Sequence, residues 1–220
     1  LLQGSWDELF FFHILSFFGH YGVPIFLFLS AYGLTMKYEL KLPTGPTNNQ
    51  EKQATLPLFG FIKYHWLKLF RMMIVGFVAF TMVDNITKGP HLYKVMDIIG
   101  QMGLFNNLLP HPDDIIWPGP YWFFGLMLQL YIVYRLLLYR RHWLWNVGLI
   151  VLCLAIQLAC YPESDALNRW RYNFIGGMLP FGAGLLYARY VRPWGTATNF
   201  VAFILSVFAI LLMSFSYLTW

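Results

Sequence analysis

The chain has 220 residues, of which 58% are apolar and 11% are charged. A soluble domain usually has about 25% charged residues, so this chain has too few polar side chains to cover a surface in water. The net charge is +5, but the basic residues flank apolar runs, which favours lipid headgroups over nucleic acid as their partners. The composition therefore predicts an all-α, polytopic transmembrane helix bundle that does not bind nucleic acid.

The apolar runs have the length of membrane spans. A bilayer core of about 30 Å is crossed by about 20 helical residues. The first apolar block exceeds that length and contains Gly19, Gly22 and Pro24, so we predict an external helix at 8–19 before the first span. Six spans are predicted, at about 20–37, 69–84, 121–139, 143–161, 173–190 and 197–219.

The distribution of charge predicts the orientation of these spans. Most of the 15 basic residues lie in three segments: 37–71, 135–141 and 189–192. Basic loops are retained in the cytoplasm when helices insert, so these segments are assigned to the inner side, including the polar loop 37–56. The external connections are then 84–120, in which 92–109 is predicted to form a short interfacial helix, and 162–172. Four glycines in the span 173–190 are expected to let neighbouring helices approach closely.

Residues 19–39 carry a recognisable order of residue types. They contain a Val-Pro pair, an aromatic-rich run, a Ser-small-aromatic triplet and a basic residue: Val23-Pro24, 26–29, Ser30-Ala31-Tyr32 and Lys37. This order resembles the signature region of acyltransferase family 3, although Ala31 stands where the family usually has Gly. Three later features fit the same family: the basic approach at 57–71, the aromatic run after Pro120 with Tyr131 further along it, and the Gly-rich span before Arg189.

The resemblance implies an integral-membrane enzyme that O-acylates sugars, lipopolysaccharide or peptidoglycan in the bacterial inner membrane. It implies cytoplasmic acyl-CoA as co-substrate, acetyl as the usual acyl group, a carbohydrate hydroxyl as acceptor and no bound cofactor. The family's expected base is a His in the first span, preceded by an Arg or Lys. The first family-like span here corresponds to the second one, so that His is expected upstream of Leu1. The chain is then expected to lack the first span and the C-terminal spans, and its catalytic residues stay unassigned.

The basic, aromatic approach to the second predicted span holds the candidates for donor binding. Ammonium and guanidinium groups suit phosphate, so Lys63, Lys68 and Arg71, with His65 among them, are candidates for binding the phosphates of acyl-CoA. The competing interpretation is that these cations only reach lipid headgroups and retain the loop in the cytoplasm.

Five residues in or beside the apolar spans are candidates for a channel or an acceptor site: His20, Ser30, Tyr32, Trp122 and Gln129. The alternative for the hydroxyls and the amide is a hydrogen bond to a backbone carbonyl or to a neighbouring helix. For His20 the alternative is an ordinary polar residue at the membrane interface. The acidic residues of the loop 110–120 show no ligand spacing, so no metal site is predicted.

A transporter or flippase for a polar or lipid-linked substrate is the competing function. Its typical features are broken helices and charges within the membrane, which residues 19–24 and the Gly-rich span fit in part. No charged residue lies in the middle of a predicted span and no internal repeat is evident, so the acyltransferase is favoured. A non-catalytic membrane scaffold is the third interpretation.

Overall fold

The computed structural model describes the backbone at residues 6–40, 57–89, 94–109, 112, 121–160, 170–191 and 195–218. These residues form α-helices and no strand, which confirms the all-α prediction. In chain order the helices are α1 (Trp6–Tyr38), α2 (Leu58–Lys88), α3 (Val95–Gly103), α4 (Trp122–Val133), α5 (Trp143–Ala159), α6 (Phe174–Tyr190) and α7 (Thr196–Leu218). A 3-10 turn, Asn106–Leu108, follows α3, and a π-helical turn, Tyr134–Leu138, continues α4.

The described residues divide into two compact units. One contains residues up to Phe26 and from Tyr190 onward, and the other is Leu27–Arg189. The second unit holds the end of α1 together with α2 to α6. Most of the predicted cytoplasmic loop 37–56, of the turn-rich segment 110–120 and of the external loop 162–172 lies outside the described residues.

The helix α1 is continuous, so the predicted separation of an external helix at 8–19 from a span beginning at 20 is wrong. Pro24 lies inside this helix and removes one backbone hydrogen bond. Ending one helix and starting another would instead leave about four carbonyls and four N–H groups without intrahelical partners. Continuing through Pro24 is therefore the less costly arrangement.

The helix α2 is also longer than predicted, because the approach at 57–69 and the span at 69–84 form one helix. Asp84, predicted to begin the external segment, is a buried residue within it. In the part of the chain that is described, Leu58–Thr87 is the one helix both long and apolar enough to cross a bilayer. Shorter apolar helices occur at Trp122–Leu138, Trp143–Ala159 and Ala197–Phe208, so six spans are not confirmed.

The later helices begin and end close to the predicted apolar stretches. The helix α4 with its π-helical turn, and the helices α5, α6 and α7, agree with those stretches within two residues at each end. The predicted interfacial helix at 92–109 corresponds to α3 and the 3-10 turn that follows it. That these helices cross a membrane stays a prediction.

Contacts along the second unit show that α1, α4 and α6 run in the same direction. A Cβ on Gly184 of α6 would meet the carbonyl oxygen of Phe28, and further along both helices Arg189 is paired with Glu39. The side chain of Leu126 in α4 lies 3.1 Å from a Cβ placed on Gly177. At the end of the π-helical turn, the carbonyl of Leu138 accepts a hydrogen bond from Arg189.

The helices α2 and α5 run in the opposite direction. Phe77 of α2 packs against Tyr121 before α4, whereas Phe61 packs against Tyr134 after it. In α5, the early residue Asn146 donates to the Gly182 carbonyl, and the later residue Gln157 donates to the carbonyl of Ile175. The alternating directions are those that successive membrane spans require.

The glycines of α6 lie at close approaches, as the sequence predicts. A Cβ on Gly177 would lie 3.1–3.2 Å from leucine side chains of α1 and α4. A Cβ on Gly182 would lie 2.6 Å from Ile150 of α5, and one on Gly184 would overlap the backbone of α1. Because α6 has no side chain at these points, it packs against three helices at once.

Many of the exposed residues on the described helices are large and apolar. Val75 is 71% exposed, Ile86 is 84% exposed and Leu158 is 74% exposed. The buried residues include polar ones, among them Thr35 and Asn146, neither of which has exposed surface. Large apolar faces on the outside of a protein indicate contact with lipid or with another protein.

Candidate active site

The helix α2 turns one histidine inward and three cations outward. Its buried stripe repeats every four residues: Phe61, His65, Leu69 and Met73. The three predicted donor-binding residues are exposed on its other faces: Lys63, Lys68 and Arg71. Residues four positions apart lie on one side of a helix, which accounts for the buried stripe. The cations are therefore open to a ligand, and the imidazole is enclosed.

His65 is held by tyrosines. The hydroxyl of Tyr38 lies 3.0 Å from Nε2 of His65. Burial raises the pKa of the Tyr38 phenol, and Tyr64 raises it further, so Tyr38 keeps its proton at neutral pH and can donate it. When Tyr38 donates, Nε2 is the acceptor and the neutral ring carries its proton on Nδ1.

The second ring nitrogen of His65 is free. Nδ1 is buried and has no hydrogen-bond partner among the residues that the structure describes. The ring is packed between Phe61, whose centroid is 4.4 Å away, and Tyr131, whose centroid is 4.7 Å away. The imidazole can therefore make one further hydrogen bond, in a direction fixed by its aromatic neighbours.

A second hydroxyl pair continues this polar arrangement along α1 and α4. Ser30 Oγ and the Tyr131 hydroxyl are 2.9 Å apart, and either one can be the donor. The ring of Tyr131 also contacts His65, so Tyr131 links Ser30 to the imidazole. Tyr38, His65, Tyr131 and Ser30 thus join three helices through hydrogen bonds and ring contacts.

Cations surround this aromatic group. Nζ of Lys37 lies 5.2 Å from the ring centre of Tyr38 and 5.0 Å from that of Tyr64. The guanidinium of Arg135 lies 5.3 Å from the ring centre of Phe61. Such distances are within the range of cation–π attraction. We call this group of cations, Lys37, Lys63, Lys68, Arg71 and Arg135, the basic end; of the three on α2, Arg71 lies furthest from Phe61 along the helix.

A buried ion pair closes the same end. Arg189 Nε donates to Glu39 Oε2 at 2.8 Å, and Nη2 donates to Oε1 at 2.7 Å, with both side chains less than 10% exposed. The hydroxyl of Tyr134 donates to Glu39 Oε1 at 3.0 Å. Arg189 Nη2 also donates to the carbonyl of Leu138, at the end of the π-helical turn. Because both charges are compensated, this pair is a structural tie rather than a site for a ligand.

Side-chain amides form a second polar cluster between the start of α6 and the middle of the helix that α4 forms with its π-helical turn. Gln129 Oε1 accepts a hydrogen bond from the backbone N–H of Phe174, the first residue of α6, at 3.0 Å. Asn107 Nδ2 donates to Asn173 Oδ1 at 3.2 Å and to the carbonyl of Tyr172 at 3.1 Å. We call this group the amide end.

A cavity of about 330 Å³ lies beside the amide end. Gln129 and Asn173 are its polar wall residues, and Trp170 is among its apolar ones. Nearby, the ring of Trp122 packs edge-on against Tyr172 at 5.0 Å. An apolar wall with a few placed polar groups is typical of small-ligand sites.

The structure divides the predicted channel residues between the two ends. Ser30 is hydrogen-bonded to Tyr131, whereas Trp122 and Gln129 lie at the amide end. Tyr32 is half-buried, with its ring 6.2 Å from the ring of Tyr187. The side chain of His20 is outside the described residues. The four residues whose side chains are described therefore do not contact one common group.

The pairing of Glu39 with Arg189 was not predicted from the sequence. The available signal was that Glu39 is one of very few acidic residues in the basic segments, where an isolated carboxylate is expected to pair. From the sequence, His65 was predicted only as a member of the cationic group. Its position in the four-residue repeat with Phe61 and Leu69 would have placed it on the buried face.

The described residues therefore define a class of protein. It is helical, with many apolar residues on its exterior, a basic end and polar groups inside. The family model of acyltransferase family 3, described as an acyltransferase domain, matches residues 2–220. The chain therefore belongs to this acyltransferase family, which confirms the resemblance found in residues 19–39. No curated protein and no solved structure shows a significant match to the chain.

Proposed function

We propose that this acyltransferase works within the bacterial inner membrane and transfers an acyl group from cytoplasmic acyl-CoA to a hydroxyl of a cell-surface carbohydrate. Acetyl is the acyl group that the family resemblance favours. The observation that carries the proposal is the basic end, where three exposed cations of α2 lie on the helix that also holds His65.

The basic end suits the donor. Acyl-CoA carries several phosphates, which ammonium and guanidinium groups bind through charge-assisted hydrogen bonds. Lys63, Lys68 and Arg71 are exposed, so their donor groups remain available to a phosphate. The proposal assigns donor binding to these residues and assigns no residue to proton abstraction from the acceptor.

Membrane placement is supported by the surface and by the helix directions. The exposed faces of α2 and α5 carry large apolar side chains, including Val75 and Leu158. The helices α1, α4 and α6 run opposite to α2 and α5, as successive spans do. The basic end then faces the cytoplasm, because basic segments are retained there.

The amide end is then the acceptor side. Amide groups donate and accept hydrogen bonds, and Trp170 gives the cavity beside Gln129 an aromatic wall. Sugar hydroxyls need partners that donate and accept, and the apolar faces of sugars pack on aromatic rings. The proposal therefore places the carbohydrate near Gln129, Asn173 and Trp170, on the outer side.

Donor kinetics test the role of the basic end. Arg71→Ala removes one charge-assisted contact, so we expect the KM for acetyl-CoA to rise about tenfold. Lys94→Ala is the matched control, because Lys94 is an exposed cation at the start of α3, away from the basic end. An unchanged donor KM in Arg71→Ala would remove Arg71 from the site.

Glycan acetylation separates this proposal from transport. Cells that express the protein are expected to carry more acetyl groups on surface carbohydrate than cells from which the gene is deleted. Equal acetylation in both, with altered export of the unmodified glycan, would favour a transporter or flippase instead.

A further inference from the structure

An apolar groove lies between the π-helical turn after α4 and the first half of α5. Its volume is about 330 Å³, and it is lined by Leu137, Leu144, Trp145, Gly148, Leu149 and Leu152. Leu144 is 56% exposed and Trp145 is 60% exposed, so the groove opens to the outside of the unit. The space above Gly148 is empty, since a Cβ placed there would meet no atom within 4 Å, and a larger side chain at this position would fill part of the groove.

Two arginines lie where the groove ends. The turn 139–142 connects the two walls, and Arg140 and Arg141 are both exposed on it. Within the described part of the chain, neither guanidinium has an ion-pair partner, and Arg140 only approaches the ring of Tyr139. Arg189 Nη1 donates to the Arg141 carbonyl at 3.2 Å, which ties the turn to α6.

The acidic group at this end does not neutralise these arginines. Glu39 accepts both of its charged hydrogen bonds from Arg189, so its carboxylate is already compensated. Arg140 and Arg141 therefore present two uncompensated positive charges beside an apolar groove. A ligand that matches this surface has an anionic group next to a hydrocarbon chain.

We propose that the groove and the turn 139–142 bind one anionic phospholipid. One acyl chain lies in the groove against Gly148 and Leu149, and the phosphate lies between Arg140 and Arg141. Trp143 and Trp145, both exposed near the turn, lie at the level of the headgroups, where tryptophan is enriched. Basic residues near a membrane surface attract anionic lipids, and apolar side chains alone do not discriminate between headgroups.

This inference rests on the proposed membrane placement and goes beyond the proposed transfer reaction. The site differs from the donor-binding residues, since Lys63, Lys68 and Arg71 lie on α2 and the groove is formed by α5 and the π-helical turn. Failure of the two proposals is therefore distinguishable. A protein that is extracted from membranes only by detergent, but shows no headgroup preference, would overturn the lipid site alone.

Native mass spectrometry of the detergent-purified protein tests the site with two probes, phosphatidylglycerol and phosphatidylcholine. Phosphatidylglycerol is expected to bind more tightly. The double variant Arg140→Gln/Arg141→Gln is expected to weaken phosphatidylglycerol binding by about thirtyfold, because two basic residues near the headgroup are lost. It should leave phosphatidylcholine binding nearly unchanged.

Gly148→Leu tests the groove itself. The new side chain fills the space above Gly148, so binding of both lipids is expected to fall. Gly76→Leu is the matched control, because Gly76 is also a helical glycine with no atom near a Cβ, but it lies on α2 away from the groove. Lys94→Gln is the control for charge.

The outcomes decide the proposal. Loss of the phosphatidylglycerol preference in the arginine variant, and loss of binding in Gly148→Leu but not in Gly76→Leu, support it. Equal binding of the two lipids by the unaltered protein would overturn it. Unchanged lipid binding in both the arginine double variant and Gly148→Leu would also overturn it. A dimer that dissociates in Gly148→Leu, with lipid binding unchanged, would assign the groove to a second copy of the chain and also overturn it.

Discussion

Arg189 is bound to Glu39 through two charge-assisted hydrogen bonds, although 150 residues separate them in the chain. The pair joins the end of α1 to the end of α6 at less than 10% exposure of either side chain. Because Arg189 also donates to the Leu138 carbonyl, the same guanidinium fixes the end of the π-helical turn. One side chain thus holds three helices in register at the basic end.

Removing Arg189 is expected to destabilise the protein strongly. In Arg189→Ala the Glu39 carboxylate stays buried without its counter-charge, and breaking a buried pair in this way costs about 3–5 kcal/mol. We expect the stability of Arg189→Lys to lie between that of the unaltered protein and that of Arg189→Ala, because an ammonium keeps the charge but cannot make the bidentate contact. Thermal unfolding in one fixed detergent measures the effect.

The double variant Glu39→Ala/Arg189→Ala provides the control for this pair. It removes the stranded charge, so it is expected to be more stable than Arg189→Ala alone. If the double variant is less stable by the full sum of the two single effects, the side chains do not interact as the structure describes.

A methyl group at Gly184 is expected to separate α1 from α6. The Cβ of alanine would meet the carbonyl oxygen of Phe28, which is backbone and cannot move aside as a side chain can. Overpacking of this kind costs about 1–3 kcal/mol, and we expect Gly184→Ala to lower the free energy of unfolding by that amount.

Gly33→Ala is the matched control for Gly184. It lies on α1 with no atom within 4 Å of the new Cβ. Alanine is favoured over glycine inside a helix by about 0.5–1 kcal/mol, so this variant should be neutral or more stable. Equal destabilisation by the two substitutions would contradict the close approach of α1 and α6.

Loss of the Tyr38 hydroxyl is expected to lower the free energy of unfolding, because it leaves a buried histidine without its hydrogen-bond partner. In Tyr38→Phe, Nε2 of His65 loses its partner, and an unsatisfied buried polar group costs about 1–3 kcal/mol. Changing His65→Phe in the same protein should recover part of that stability, because no polar atom is then left unpaired. Tyr32→Phe, whose hydroxyl makes no hydrogen bond among the described residues, should change stability by less than about 0.5 kcal/mol.

The helices that apolar length predicts well are α5, α6 and α7, each an apolar run bounded by turn residues or by arginine. The continuity of α1 was not predictable in the same way. Gly19, Gly22 and Pro24 weaken a helix locally, and the sequence does not state what two new helix ends would cost. The burial of Asp84 was not predictable for a similar reason, since a charged residue usually marks the end of an apolar span and the structure instead buries this one within α2.

The site was predictable only as separate parts. Spacing along α2 predicts a buried stripe that includes His65, and that much follows from helical geometry. The contacts of Tyr38 with His65, and of Ser30 with Tyr131, join different helices and depend on how those helices pack. The amide end likewise depends on helix packing, because Asn107 and Asn173 meet only after α4 and α6 have packed in parallel.

The central claim is that the basic end receives acyl-CoA from the cytoplasmic side of a membrane. Membrane vesicles of the two orientations, supplied externally with radiolabelled acetyl-CoA and with the glycan acceptor on both sides, test it most directly. Inside-out vesicles expose the basic end, so they are expected to transfer label to the glycan, while sealed right-side-out vesicles transfer none. Transfer by right-side-out vesicles alone would contradict the orientation and the assignment of the donor site.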